Sequence, residues 1–301
     1  MLYLSLLCSV IGNAPMKNVG DYRFKSCHSI KKSYINYKQM NIHFTDKVFL
    51  EKLKSATIAK VVVGSNMYGT NTASSDIDYL YIYATSENEL NSFIKVHHQL
   101  QYKEDDVDYN FVSLHNFLNN CLNGDSTINF EVINSTSLIG TDIEFLYNYR
   151  KTFLTYTVIR SYLGHARRDS KHFFSAKTEY DKIKKLKHVI RGYLYSRDMI
   201  ENNFDFDRCN KELLDITIDV TTNIQLKYYD SKISELRNVL TERFNSKTLG
   251  LSQHINVVEG IEINKIFLDY CKSDSFKSKS DKLKDFDLSE FINSFENWVE
   301  Y

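Results

Sequence analysis

The sequence predicts an α+β protein: a small mixed β-sheet with flanking helices over residues 41–145, followed by a mainly α-helical domain over 146–301, with residues 1–40 as an N-terminal extension. Three observations predict it. Residues 58–63 (IAKVVV) are a short, β-branched run of the kind that fills a buried central strand. At Ser113 the apolar period changes from strand-like to helical. Beyond about residue 145 the pattern is helical almost throughout, while one Pro and ten Gly in the whole chain rule out a collagen-like chain, a Pro-rich linker or a Gly-rich repeat array.

Taken in order, Leu2 to Ile11 form an apolar run with no Lys or Arg ahead of it, so the basic stretch of a secretory signal is missing. Its ten residues fall well short of the roughly 20 needed to span a membrane. A strand or helix packed on the body of the protein is expected there; a cleaved signal and a dispensable extension ahead of Met40 are the alternatives. No other stretch approaches membrane-spanning length, so no membrane partner is expected. After the strand at Ile58–Val63, a second strand is expected at Ile77–Tyr83, a helix at Glu87–His98 and a third strand at Val107–Val112. Leu114, Phe117, Leu118, Cys121 and Leu122 then fall on one helical face, with Ser113 suited to the N-cap and Gly124 to the C-cap. Further helices are expected at Tyr147–His165, Tyr180–Asn202, Asn210–Thr221, Ser231–Phe244 and Leu288–Tyr301, and a mobile polar loop at Lys272–Asp285.

Charge divides the chain although Lys plus Arg and Asp plus Glu are equal at 38 each. Residues 71–150 carry twelve acids against three bases, and residues 151–200 carry twelve bases against four acids. An acidic unit followed by a basic helical unit suits a metal site facing a phosphate-binding wall; two unrelated solvated faces are the plainer explanation. The five cysteines are scattered with no C-x-x-C spacing, which disfavours zinc and disulfides and fits a reducing, cytoplasmic compartment.

The chemistry sits in residues 61–83, VVVGSNMYGTNTASSDIDYLYIY. A buried strand ends at Gly64-Ser65, a small polar loop follows, and Asp76-x-Asp78 opens the next strand. Side chains two apart on a strand share a face, so Asp76 and Asp78 can converge on one cation. Their hard oxygens suit Mg²⁺, which completes its shell with water and substrate phosphate. Gly64 lets the backbone approach a phosphate, and the Ser65 hydroxyl with nearby N–H groups can donate to triphosphate oxygens.

The extended pattern, Gly64-Ser65-x-x-Tyr68-Gly69-Thr70, a short loop, then Ser75-Asp76-x-Asp78-Tyr79, resembles the DNA polymerase β-like nucleotidyltransferase superfamily. Within it, the pattern is similar to the branch found near RNA-repair genes and in phages. The resemblance covers roughly residues 58–200 and implies a nucleotidyltransferase core in which Asp76 and Asp78 are joined by a third carboxylate on a later strand. Asp108 is the candidate, Asp106 the runner-up two residues earlier, while Asp105 and Glu104 are assigned to a solvated loop. Gly64, Ser65, Tyr68, Gly69 and Thr70 are expected to bind nucleotide. Leu114–Leu122 and Glu131 match the branch's Leu-rich helix and downstream Glu, but Gly124-Asp125-Ser126 lacks its Asn-Pro. Tyr162–Ala166 and Lys184-x-x-x-His188-x-x-Arg191 resemble a second block. Lys184, His188 and Arg191 fall on one helical face that could hold a triphosphate or a nucleic-acid backbone, the alternative being an ordinary solvated face. One departure stands out: the branch usually has a basic residue and then Gly after Asp78-Tyr79, where this chain has Leu80 and Tyr81.

The implied activity is nucleotidyl transfer from an NTP to an acceptor hydroxyl with release of pyrophosphate, using two Mg²⁺ ions, with Mn²⁺ as the alternative. Asp76 and Asp78 would bind both ions and Asp108 the one nearer the attacking hydroxyl. The basic segment 151–200 favours a nucleic-acid acceptor, an RNA such as tRNA or a DNA end. A protein- or small-molecule-modifying transferase and a nucleotide-binding pseudoenzyme are the competing readings.

Overall fold

The computed structural model describes residues 40–284 except 74, 86–97, 125, 202–203, 219–222, 253–254 and 256. The apolar run at 2–11, the helix expected at 288–301 and all but the last residue of the helix expected at Glu87–His98 lie outside the described residues; His98 opens a strand instead. In chain order the elements are β1 (Met40–His43), α1 (Lys47–Ser55), β2 (Thr57–Val63), the single turn α2 (Gly64–Met67), β3 (Ile77–Tyr83), β4 (His98–Glu104) and β5 (Val107–Ser113). α3 (Leu114–Asn123), α4 (Thr127–Asn134) and α5 (Phe145–Asn148) follow. The remainder is helical: α6 (Tyr156–Ser175), α7 (Glu179–Ile200), α8 (Phe206–Asp215), α9 (Ile224–Asn245), α10 (Val257–Cys271) and α11 (Asp274–Ser280).

The strands form one mixed sheet in the order β1-β4-β5-β3-β2. β3 and β5 run parallel at its centre, β2 pairs antiparallel with β3, and β4 pairs antiparallel with β5. Neither β1 nor β4 is legible in the sequence. β1 is four residues long, and β4 (HQLQYKE) holds no β-branched residue.

Side-chain parity gives the sheet two distinct faces. Asp78, Leu80 and Ile82 share one face with their register partners Asp108, Asn110 and Val112, because paired residues project together. Leu80, Ile82 and Val112 belong to the same buried cluster as Phe117, Phe130, Tyr162 and Val189, so the core runs unbroken from sheet to helices. Tyr81, Tyr83 and Phe111 project the other way and join Phe49, Leu50 and Leu53 of α1. Alternation thus sets the two aspartates on the helix-facing side by geometry alone.

The helix after β5 follows its sequence signals. The Ser113 hydroxyl accepts from the Asn116 N–H at 3.4 Å, and Gly124 closes α3 at φ +68°. A Cβ at Gly124 would also stand 2.9 Å from the backbone nitrogen of Val158, so α6 packs against a bare α-carbon. Elsewhere the boundaries shift. The helix expected from Tyr147 starts at Tyr156, where the Thr155 hydroxyl accepts from the Val158 N–H at 3.4 Å; the residues before it form short turns. α8 and α9 each begin earlier than expected. The described part of the stretch expected as a loop, 272–284, is not one: Ser273 caps α11, and Phe276 and Leu283, seven residues apart among the polar residues, are buried anchors. No helix among the described residues is long and apolar enough to cross a membrane.

Candidate functional site

The site begins where β2 stops. Gly64 turns the chain at φ +66°, a conformation that disfavours any side chain. A Cβ there would run into Oδ2 of Asp78, so the turn and the aspartate fit only because residue 64 is glycine. The short helix α2 follows, and the Thr70 N–H donates to the Ser65 carbonyl at 2.9 Å, folding the loop back on itself. Asn66, which no motif marked, donates from Nδ2 to the Asp76 carbonyl at 3.0 Å and ties the turn to the start of β3.

Asp78 and Asp108 are direct partners in the parallel β3–β5 ladder, and Asp76 lies two residues before Asp78. Lys103, opposite Asp108 in the β4–β5 pair, places its Nζ 3.1 Å from Asp108 Oδ1 and 3.5 Å from Asp76 Oδ2. Burial lifts the Asp78 carboxyl above its ordinary range, and the neighbouring charge of Asp108 lifts it further. The hydrogen bond and charge of Asp108 raise the Lys103 ammonium in turn. Among the described residues no three His, Cys, Asp or Glu side chains already converge as a metal-binding group. The donor set nevertheless fits a hard divalent cation: it is all carboxylate oxygen, its members repel one another, and a positive group already bridges two of them. Asp106 is different. It is exposed in the β4–β5 turn, accepts from the Ile77 N–H through its backbone carbonyl, and does not border the cleft. Glu104 pairs with Lys47 at 3.0 Å. Lys103 is not legible as a site residue in the sequence, because its position depends on the hairpin partner β4, whose sequence hides the strand. A strand-like alternation on both sides of Asp105-Asp106 is the signal that could have found it.

These carboxylates border a cleft of about 690 Å³ whose opposite wall is made by α6 and α7. Ser65 and Thr70 line it on the loop side, whereas Gly69, at φ +68°, serves the turn and does not line it. Lys184 is exposed on the facing wall and lies near enough to oppose the upward shift of Asp78. Two further cations border the cleft: Arg168, and Lys187, which donates to the Thr70 carbonyl at 3.4 Å. Leu80 and Tyr81, where the related pattern has a basic residue and Gly, are buried. The positive groups of this site come instead from β4, α6 and α7.

Tyr68, Glu131 and Arg191 also border the cleft, but their polar ends are turned to one another. Glu131 is 1% exposed and accepts from the Tyr68 hydroxyl and, at 3.0 Å, from that of Tyr162. The Arg191 guanidinium lies 3.8 Å from the Tyr68 ring centre, and its Nε is 3.8 Å from Glu131 Oε1. Burial pushes the Glu131 carboxyl up while Arg191 holds it down. His188 meets Asp169, another residue that no motif marked: its Nδ1 is 3.2 Å from Oδ2, and Lys185 donates to Oδ1 at 3.2 Å. Burial alone would raise Asp169, but the His188 hydrogen bond and the nearby positive charges outweigh it and bring the carboxyl to about 2.

The model of a family described as RlaP, RNA repair pathway DNA polymerase beta family, matches residues 41–219, a span that includes every cleft residue named above. A solved structure of a nucleotidyltransferase-like protein from Exiguobacterium sibiricum 255-15 aligns with 84% of this chain and 89% of its own at 13% identity. Its TM-score of 0.26 is too low to carry an argument. No curated protein matches the chain.

Proposed function

The chain belongs to the RNA repair pathway DNA polymerase beta family, and from that membership we propose that it transfers a nucleotidyl group from a nucleoside triphosphate to an acceptor hydroxyl at a nucleic-acid end, an RNA in preference to DNA. One observation carries the reading: Asp78 and Asp108 stand in register beside the Gly64 turn, facing a wall that presents Arg168, Lys184 and Lys187 across the cleft. Anionic ligands on one side and cations on the other suit a polyphosphate bound through metal.

In the proposed reaction the acceptor oxygen attacks the α-phosphorus, the bond to the β-phosphate breaks, and pyrophosphate leaves with its electron pair while the hydroxyl proton passes to water. Asp76, Asp78 and Asp108 would hold two Mg²⁺ or Mn²⁺ ions, which when bound lower the hydroxyl's pKa and neutralise charge on the departing group. The Ser65 hydroxyl and the N–H groups of the turn would orient the terminal phosphates. Lys184 and Lys187 would draw the triphosphate against the carboxylates, and the exposed Arg168 at the rim would meet the acceptor's backbone.

Lys103 stands between two of the proposed ligands, so cation binding must displace it. Lys103→Met is expected to tighten Mn²⁺ binding several-fold, measured as free Mn²⁺ by electron paramagnetic resonance; an unchanged affinity would show that the amine does not compete. The function itself is tested by incubating the protein with each α-labelled NTP, Mg²⁺ and separate pools of RNA, DNA and protein. Label in RNA or DNA supports the proposal. Label in protein would replace it with a protein-modifying transferase, and nucleotide binding without transfer would replace it with a pseudoenzyme.

A further inference from the structure

The His188–Asp169 pair lies in the cleft wall and has no part in the chemistry of the carboxylates. Asp169 is 6% exposed, sits on α6 and makes two bonds: one to Lys185 and one to His188, both on α7. Held at about 2, its carboxyl is ionised at neutral pH and can only accept. The proton of the 3.2 Å contact therefore belongs to Nδ1 of His188. Burial, with Arg191 nearby, keeps the imidazole below its ordinary range despite Asp169, so the ring is neutral at pH 7. A neutral ring with its proton on Nδ1 has a bare lone pair on Nε2. That atom has no hydrogen-bond partner among the described residues, and the side chain, 32% exposed, borders the cleft. Lys185 and Arg191, whose charges act on the ring, are donors without acceptor capacity.

We propose that His188 is a hydrogen-bond acceptor for a donor group of the bound nucleotide, a ribose hydroxyl or an exocyclic base amine, and that Asp169 is the positioning residue that keeps Nε2 unprotonated. The inference rests on the proposed binding of an NTP in this cleft and adds a determinant of which NTP is taken. A cation-lined wall holds any triphosphate; an acceptor set among the cations distinguishes ligands by what they can donate.

Asp169→Asn separates this role from a structural one. Lys185 is donor-only, so it claims the Asn oxygen and leaves the amide N–H₂ facing Nδ1 of His188. The histidine proton then moves to Nε2, and the acceptor becomes a donor with little change of shape. ¹⁵N shifts of the His188 ring are expected to report Nδ1–H in the native protein and Nε2–H in Asp169→Asn.

The functional test measures binding of the four NTPs and their 2′-deoxy and 3′-deoxy forms, with Mg²⁺ present, to the native protein, His188→Phe and Asp169→Asn. The native protein is expected to bind the preferred nucleotide about 10-fold or more tighter than the form lacking the matching donor, and both variants to lose that difference. Loss of discrimination between ribo- and deoxynucleotides would place the ribose at His188; loss of base discrimination would place an exocyclic amine there. Equal binding of all forms by the native protein, or discrimination kept in both variants, overturns this inference alone. Failure of the native protein to bind any NTP overturns the parent reading and this one with it.

Discussion

Asp78→Asn is expected to cut Mg²⁺-dependent pyrophosphate release by about 10³-fold or more while leaving the melting temperature unchanged or slightly higher. The two halves of that expectation have separate causes. A carboxylate that holds a cation supplies several kcal/mol of transition-state stabilisation, and an amide of the same shape does not. In the folded protein, however, the Asp78 charge is disfavoured by burial and by Asp108 beside it. A carboxyl whose pKa is raised on folding contributes its stability at low pH and loses it as pH rises through the folded value, so at neutral pH the charge is a cost. Removing it relieves the cost. Opposite signs of activity and stability are what a functional residue predicts; a melting temperature several degrees lower would assign Asp78 a structural role, and pyrophosphate release near the native rate would reject it as a cation ligand.

Glu131→Ala is expected to destabilise the fold by about 3–5 kcal/mol, because it leaves a largely buried Arg191 without its anion and removes the acceptor of two tyrosine hydroxyls. For a chain of this size that amounts to about 5–8 °C in a thermal melt. Glu131→Gln keeps the length and one acceptor oxygen and is expected to lose markedly less. The comparison matters because Glu131 borders the cleft, where loss of activity alone would suggest chemistry. A Glu131→Ala protein that melts with the native one would show that the cluster does not hold α4, α7 and the Gly64 loop together.

The readable part of the site is the part written locally. Gly64-Ser65 and Asp76-x-Asp78 fall within one strand–turn–strand unit, and Asp108 falls just before the capped helix at Ser113, so spacing along the chain carries their geometry. The strands β2, β3 and β5 and the helices α3, α6, α7, α8 and α9 are legible for the same reason, through apolar strand runs or helical apolar spacing, whereas the other described helices are not. What escaped depends on contacts between distant segments. Lys103 joins the site only through β4, whose polar, unbranched sequence hides the strand. Asp169 meets His188 only when α6 and α7 pack side by side, and nothing around residue 169 distinguishes it from a solvated aspartate on a basic helix. Tyr68 and Arg191 are legible as site residues, yet their engagement with Glu131 depends on the packing of three segments far apart in sequence.

The alternating faces of β3 decide where the chain can change length. An insertion between Thr70 and Thr72, beyond the buried Tyr68, enlarges a loop and leaves every later side chain where it was. A single residue inserted between Asp78 and Tyr83 rotates all that follow by half a turn, sending Leu80 and Ile82 toward α1 and the tyrosines toward the helices. Insertions and deletions can therefore accumulate between Thr70 and Thr72, where they alter the reach of the loop over its ligand, and are barred from the strand, where the same change would turn the protein inside out.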